Sequence, residues 1–278
     1  SAATDETQTN WNGILGYFRL REVPETYIES VHVYPRGENL DIAVTLSNNG
    51  YFQDAGKLTI ESEAIDTITY SLKAEKDEYE GNLYTLKTTL KIQTKATNSA
   101  EVTFGIRSYG SDADGRIILN NRCIFIRSEA NCAEFPEEGH PPMDVESWMS
   151  ILSRYKAYGI NYMRFHSHCP PDAAFSAADR LGILMQPELS HWNPKDALES
   201  EESYHYYKKE LAAIIEAYAN HPSFVALTLG NELHNHELGH ARMVELVEMA
   251  QQMDNTRMYA IASNGYYGEQ GCDETSDF

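Results

Sequence analysis

Phe224-Val225-Ala226-Leu227-Thr228-Leu229-Gly230-Asn231-Glu232 reads as an apolar strand that runs directly into a glycine, an amide and an acid. A run of this kind suits a parallel strand covered on both faces. Four similar runs lie around it, at Cys123–Ile126, Tyr162–Phe165, Ile183–Met185 and Met258–Ala262. Amphipathic stripes at helical spacing separate them. Trp148, Ile151, Leu152 and Tyr155 form the first, stopped by Gly159. Phe175, Ala178 and Leu181 form the second, opened by Pro170-Pro171 and closed by Gly182. The third carries Tyr204, Tyr207, Leu211, Ile214, Ile215 and Tyr218 and halts before Pro222; the fourth carries Met243, Leu246, Val247 and Ala250. Repeated strand–helix units imply a parallel sheet, either open and doubly wound or closed into a barrel. No GxGxxG follows the first strand, which counts against a dinucleotide-binding fold.

Upstream the grammar is different. From residue 24 to about 115 the apolar positions alternate: Ile28, Val31, Val33, then Leu40, Ile42, Val44, Leu46. Pro35-Arg36-Gly37 and Asn48-Asn49-Gly50 punctuate them, and further runs follow at Leu58–Ile60, Ile65–Leu72, Leu83–Ile92 and Val102–Ile106. Short strands between turn residues predict a β-sandwich of immunoglobulin type. Residues 1–23 are a polar leader and one strand-like run, Trp11–Leu20, which alone has nothing to bury its face against. The expected division is therefore 1–23, a leader and the last strand of a preceding domain; 24–115, the sandwich; and 116–278, an α/β unit.

Composition excludes several functions. With 278 residues, 42% apolar and 11% aromatic, the chain can build real cores. No run approaches the roughly 20 apolar residues of a membrane span. A formal charge of −20 repels phosphate backbones, so nucleic acid is not an expected partner. Cys123, Cys132, Cys169 and Cys272 form no CxxC pair and leave the redox compartment open.

Polar residues gather where the predicted parallel strands end. The first leads into Arg127-Ser128-Glu129-Ala130-Asn131, and the second ends in Arg164-Phe165-His166-Ser167-His168-Cys169-Pro170. The third gives Gln186-Pro187-Glu188-Leu189-Ser190-His191-Trp192 and the fourth Asn231-Glu232. In a barrel, these ends form the catalytic mouth. Glu232, at the end of an apolar strand and beside a neutral amide, suits an acid that must deliver a proton to a departing oxygen.

On these residues the chain resembles glycoside hydrolase family 2, the β-galactosidase, β-glucuronidase and β-mannosidase group. Trp11–Gly16 is similar to the end of that family's N-terminal jelly roll. Asn82-Leu83-Tyr84 and Phe104–Arg107 are similar to its immunoglobulin-like domain, Leu119–Arg127 to the start of its barrel, and Asn161–Pro170 to its strand-two signature. The resemblance implies an immunoglobulin-like sandwich followed by the first half of a TIM (β/α)8 barrel. It further implies retaining, exo-acting cleavage of β-linked sugars in carbohydrate degradation, β-galactosidase-like, with an oligosaccharide or glycoside as substrate. Glu232 would be the acid/base and Asn231 a hydroxyl ligand. Arg164, one of His166 and His168, Glu188, Trp192 and Glu129 would be further substrate contacts. No cofactor is expected, although some members bind Mg2+ at the position that Glu188 fits. Two departures stand out. The strand-two stretch carries one extra residue, which leaves the sugar-contacting histidine open between His166 and His168, and Cys169 replaces an aromatic. The family's nucleophile follows strand seven, whereas Phe278 lies just past predicted strand five, so the nucleophile is expected outside these residues and the chain alone is expected to be inactive. A barrel cut at strand five exposes an edge, which is expected either to self-associate or to be covered by the chain's last residues folding over it. A secreted or periplasmic location is family habit only.

Two other readings compete. His236-Glu237-Leu238-Gly239-His240 matches H-E-x-x-H, in which two histidines on one helical face hold zinc in a metalloprotease. Here a strand end sits where the upstream part of that helix should be, so no zinc is expected. The other is a carbohydrate-binding protein that kept the barrel and lost its chemistry; an intact Asn231-Glu232 argues against it.

Overall fold

The computed structural model describes residues 18–37, 39–48, 58–70, 81–192, 195–234, 236–263 and 274–278. The predicted strand Trp11–Leu20 lies outside these except for Phe18–Leu20, which have no regular structure. The sandwich is built from β1 (Thr26–Arg36) and β2 (Asn39–Asn48) in one antiparallel sheet. The other holds β3 (Leu58–Tyr70), β4 (Gly81–Ile92) and β5 (Lys95–Gly105). Ile28, Val31 and Val33 of β1 meet Leu86, Leu90 and Phe104 across the gap, because alternate residues on each strand share a face. The runs read as separate strands at Leu58–Ile60 and Ile65–Leu72 are one strand as far as Tyr70, with a bulge between Ala64 and Asp66.

A small meander follows: β6 (Tyr109–Ser111), β7 (Ile117–Leu119) and β8 (Arg122–Cys123). It spans the division expected between residues 115 and 116. Then comes the parallel unit. β9 (Ser128–Asn131) precedes α1 (Val145–Ala157), β10 (Tyr162–Phe165), α2 (Asp172–Leu181) and β11 (Leu184–Gln186). α3 (Glu201–Tyr218), β12 (Ala226–Thr228), α4 (Glu237–Met253) and β13 (Met258–Ala260) complete it. β10 pairs with both β9 and β11 in parallel, bridges at Met185–Phe224 and Glu188–Thr228 join β11 to β12, and β12 pairs with β13. The five strands thus stand in sequence order with no reversal, the winding of a barrel and not of a doubly wound sheet.

One strand is not where its hydrophobicity put it. The apolar run Cys123–Ile126 was expected to open the barrel, but Cys123 pairs with Ile118 in the meander. Ile124 and Ile126 pack with Leu119, Tyr162, Leu184, Val225, Ala226 and Met258 in a separate apolar layer. The barrel's first strand is instead the polar Ser128–Asn131, which pairs only with β10 among the described residues.

Helix ends follow local chemistry. The Asp144 carboxylate accepts the Ser147 N–H at 2.7 Å to start α1, and Ser200 does the same for Ser203 at 3.0 Å in α3. Gly182 closes α2 in the left-handed conformation, φ 67°.

The sandwich is bolted to the barrel by two polar side chains. The Asn220 amide accepts the Val33 N–H at 2.9 Å and donates to the Val31 carbonyl at 2.8 Å, adding a rung to β1. Arg107 donates to the carbonyls of Pro222 (2.9 Å), Phe224 (2.8 Å) and Thr256. Burial, and then the charge of Arg257, pulls the Arg107 pKa down to about 9, so it still carries its charge at neutral pH.

The outer edge of β13 is covered by residues of the chain itself. Asp277 donates its backbone N–H to the Tyr259 carbonyl and accepts the Tyr259 N–H on its carboxylate, both at 2.8 Å. The Ser276 hydroxyl accepts the Ile261 N–H at 3.1 Å. Of the two expectations for this edge, a second copy or the chain's own last residues, the latter are found on it along these positions. Losing one such contact is worth about 1 kcal/mol. Asp277→Ala is accordingly expected to raise Tyr259 amide exchange by about tenfold or less in hydrogen-exchange NMR, leaving Met163 in β10 unchanged.

A second consequence concerns pH. His221, just before β12, places Nδ1 2.6 Å from Asp179 and Nε2 3.4 Å from the half-exposed Asp172, both on α2. Burial lowers its pKa, but the charge of Asp179 and the hydrogen bonds to both acids outweigh it and lift the value to about 9. A histidine raised in the folded state stabilises fully below its unfolded value near 6.5 and loses that contribution as pH climbs through about 9. His221→Gln should therefore cost on the order of 1–3 kcal/mol at pH 6. The gap in Tm between variant and parent should narrow steadily up to pH 9.5; an unchanging gap would refute the charged pairing.

Candidate active site

Period-two alternation sends Tyr162 and Arg164 of β10 to one side of the sheet, and Met163 and Phe165 to the core shared with the helices. Gln186 and then Glu188 follow from β11, and Thr228 from β12. The Tyr162 hydroxyl donates to Gln186 Oε1 at 2.9 Å, and Gln186 Nε2 donates to the Ser263 hydroxyl at 2.7 Å. Ser263 in turn lies 3.1 Å from the Thr228 hydroxyl. This polar relay joins β10 to the segment after β13 by way of β11.

Above it sits Glu188, 0% exposed. One carboxylate oxygen accepts Arg164 Nε at 2.7 Å and the other the Ser167 backbone N–H at 2.7 Å. Ser167 reaches that position through a left-handed backbone, φ 57°. Arg164 extends its far nitrogen to Asn231 Oδ1 at 2.5 Å. Expected substrate contacts on three strands are thus wired to each other, and Glu188 supports Arg164 and the turn at Ser167.

Asn231 and Glu232 leave β12 through a tight passage. Gly230 has φ +145°, and a β-carbon there would stand 2.2 Å from the His191 carbonyl oxygen, so only glycine fits. The Asn231 N–H donates to that same carbonyl at 2.9 Å, and Trp192 and Asn231 form a parallel bridge. Glu232 follows in a left-handed conformation, φ 49°, and its Oε2 accepts the Trp192 indole N–H at 3.1 Å. A non-glycine residue with this backbone is uncommon and costs on the order of 1–3 kcal/mol, which the surrounding contacts must offset. His191, stacked on Tyr207 with ring centroids 4.5 Å apart, has its pKa lowered by burial to about 4 and is neutral.

The two histidines are placed differently. His166 sets its ring 4.8 Å from and perpendicular to Trp192. Burial lowers its pKa, with opposing contributions from Glu188 and Arg164 and a smaller one from Glu232, so it sits among the charges of the mouth. His168 turns away: its Nδ1 lies 3.0 Å from the His166 carbonyl, its ring meets Phe165, and it borders a groove against α2 and α3. His168 is therefore removed from the candidate contacts. Glu129 is removed as well. It stands within β9 opposite Met163, a core residue, and its charge helps raise the Tyr155 phenol on α1, second to burial. It faces the helix layer, because an error of strand position also inverts the face.

The residues that sequence reasoning missed are those that hold others: Ser167, Gly230, His191, Gln186 and Ser263. Gly230 is legible in retrospect as a glycine between a strand and an acid; Ser263 carries no sequence signal. The position that the resemblance associates with Mg2+ is Glu188. Both Glu188 oxygens face N–H donors, one of them cationic, and no group of three metal-ligating side chains occurs among the described residues. At the H-E-x-x-H stretch, α4 begins at Glu237, and His236 is the extended residue that precedes it, φ −107° and ψ −174°. The two histidines do not share one helix.

No family model matches the chain. A protein of Formosa agariphila that carries a provisional beta-glucuronidase name is 29% identical over 190 residues, 65% of this chain and 23% of its own length. A second from the same organism, with the same name, is 24% identical over 214 residues, 71% of this chain and 19% of its own. The chain thus spans about a quarter or less of the curated relatives it matches. Among solved structures, the Parabacteroides merdae β-glucuronidase superposes with a TM-score of 0.65 at 21% identity, over 86% of this chain and 35% of that one. A glycosyl hydrolase family 2 member from Bacteroides cellulosilyticus gives 0.71 at 19%, over 87% and 36%. Bacteroides uniformis β-glucuronidase 2, covalently bound to a cyclophellitol-6-carboxylate aziridine, gives 0.65 at 17%, over 86% and 34%. The fold is the one these glycosidases share.

Gly230→Ala tests the passage. Its β-carbon must displace the His191 carbonyl, and its backbone is strained whatever the space, so a loss of about 2–4 kcal/mol is expected in urea unfolding. Gly110→Ala, with nothing within 4 Å of the added carbon, should change stability by less than about 0.5 kcal/mol.

Proposed function

We propose that the protein is a retaining, exo-acting glycoside hydrolase of the family 2 type, with Glu232 as its acid/base and a β-linked sugar as substrate. The observation that carries this reading is the Glu188–Arg164–Asn231 chain, which holds the Asn231-Glu232 pair rigidly at the carboxyl end of β12. Catalytic groups of a barrel gather at that face. The relatives' names make β-glucuronides the first substrates to test, with β-galactosides second.

Each residue then has a task that its contacts allow. Glu232 protonates the oxygen of the departing group and later takes a proton from the attacking water. Asn231 has its oxygen engaged by Arg164, which leaves its Nδ2 to donate to a sugar hydroxyl. His166, whose pKa is lowered mainly by burial, stands beside Trp192 to meet another hydroxyl. Arg164 and Glu188 keep this array in register. Retaining chemistry also needs a second carboxylate about 5–5.5 Å from the first, to attack the anomeric carbon. Glu188 is committed to Arg164 and Ser167, and Glu129 faces the helices, so neither is proposed as that nucleophile.

Kinetics test this directly. The 278-residue chain alone should show no turnover of aryl β-glycosides, whereas the whole protein should be active. There, Glu232→Ala should lower kcat/KM by about 10²–10⁴-fold for leaving groups that need protonation. The loss should be much smaller for dinitrophenyl glycosides, and azide should restore part of the rate by attacking the glycosyl-enzyme. Full activity in Glu232→Ala would overturn the assignment.

A further inference from the structure

Trp192 emerges from the loop after β11 and is fixed on three sides. Its backbone bridges to Asn231, its ring lies perpendicular to His166, and its indole N–H ends 3.1 Å from Oε2 of Glu232. Indole nitrogen is a donor only and never an acceptor. The carboxyl oxygen opposite it is therefore held as an acceptor in both protonation states. A neutral carboxylic acid carries its single proton on one oxygen, and the oxygen that receives an N–H bond is the unprotonated one.

We propose that Trp192 is a positioning residue that keeps the transferable proton of Glu232 on Oε1. This rests on the hydrolase reading given above and deepens it. In the first step, Oε1 passes its proton to the glycosidic oxygen as that oxygen takes the electron pair of the breaking bond to the anomeric carbon. The second carboxylate supplies the new bond at carbon, and Glu232 is left ionised. The indole donor thus selects which of the two oxygens carries the proton, and the one it leaves protonated is the one proposed to face the leaving group. His166, packed against the indole, holds the ring that makes this selection. The placement of Glu232 in a left-handed turn directly after Asn231 fixes the other end of the same contact.

Two measurements separate this inference from the hydrolase reading. The first uses the 278-residue chain with its three tryptophans labelled with 15N in the indole ring, the Trp192 signal being assigned by its loss in Trp192→Phe. The Trp192 N–H should be protected from exchange; Glu232→Ala should abolish that protection, and Glu232→Gln, which keeps an acceptor oxygen, should retain it. Protection that survives Glu232→Ala overturns the proposal whatever the protein hydrolyses. The second uses the whole protein. Trp192→Phe keeps an aromatic ring and removes the donor. It should lower kcat by about twofold or more for substrates whose leaving group needs protonation. KM should stay within about twofold, and dinitrophenyl substrates should be nearly unaffected. An equal loss on both substrate types would make Trp192 a structural or sugar-stacking residue and overturn the proposal. Indole protection that depends on Glu232, together with a whole protein that shows no glycosidase activity, would leave the contact standing and refute the hydrolase reading instead.

Discussion

The Glu188 carboxylate is held where water cannot reach it, with Arg164 on one oxygen and the Ser167 N–H on the other. Burying an ionised carboxylate is costly, and the cost is tolerable only when such partners are present. Removing one partner of a buried pair typically costs about 3–5 kcal/mol, because the other charge is left uncompensated. That requirement ties three strands together. Arg164 comes from β10, Glu188 follows β11, and Asn231, at the far end of the guanidinium, follows β12. The orientation of Glu232 depends on Asn231, so the chemistry proposed for the mouth is set by a pair of charges that need never touch a ligand.

A comparable logic holds the two parts of the molecule in place. Arg107 leaves the sandwich and gives its donors to backbone carbonyls around β12, while Asn220 reaches back to serve as a rung on β1. Gly105 allows the approach, since a β-carbon there would lie 2.5 Å from Pro222. These contacts fall before β12 and β13 begin, at the end of the barrel opposite the mouth. The sandwich therefore braces β12 and β13 at their amino ends. Both bolts join polar side chains to backbone groups, a pattern that fixes orientation more sharply than apolar contact does.

Several features of the fold were legible without coordinates. Alternation predicted the sandwich strands, and helical stripes with their caps predicted α1 to α4 closely, because caps and periodicity are local properties. Failures came where burial was arranged by distant partners. Cys123–Ile126 is as apolar as any barrel strand, yet it serves the meander and the adjoining apolar layer, while the polar Ser128–Asn131 takes the barrel position because β10 offers it backbone partners. That displacement also carried Glu129 to the wrong face, since a shift along a strand inverts which side chains point inward.

For the site, the residue types at strand ends and the acid at Glu232 are properties of sequence alone, as is the resemblance that Asn231-Glu232 and the Arg164–Pro170 stretch carry. Sequence could not choose between His166 and His168, because two residues apart on an irregular turn means no fixed face. It could not tell that Glu188 acts as a buried brace, nor that Gly230 and His191 shape the passage to Glu232. Those facts depend on which backbone passes within a few ångströms of which side chain, a consequence of strand order and register across more than sixty residues of chain. Local propensity specifies the elements; only their packing in three dimensions brings Trp192 to the carboxylate of Glu232.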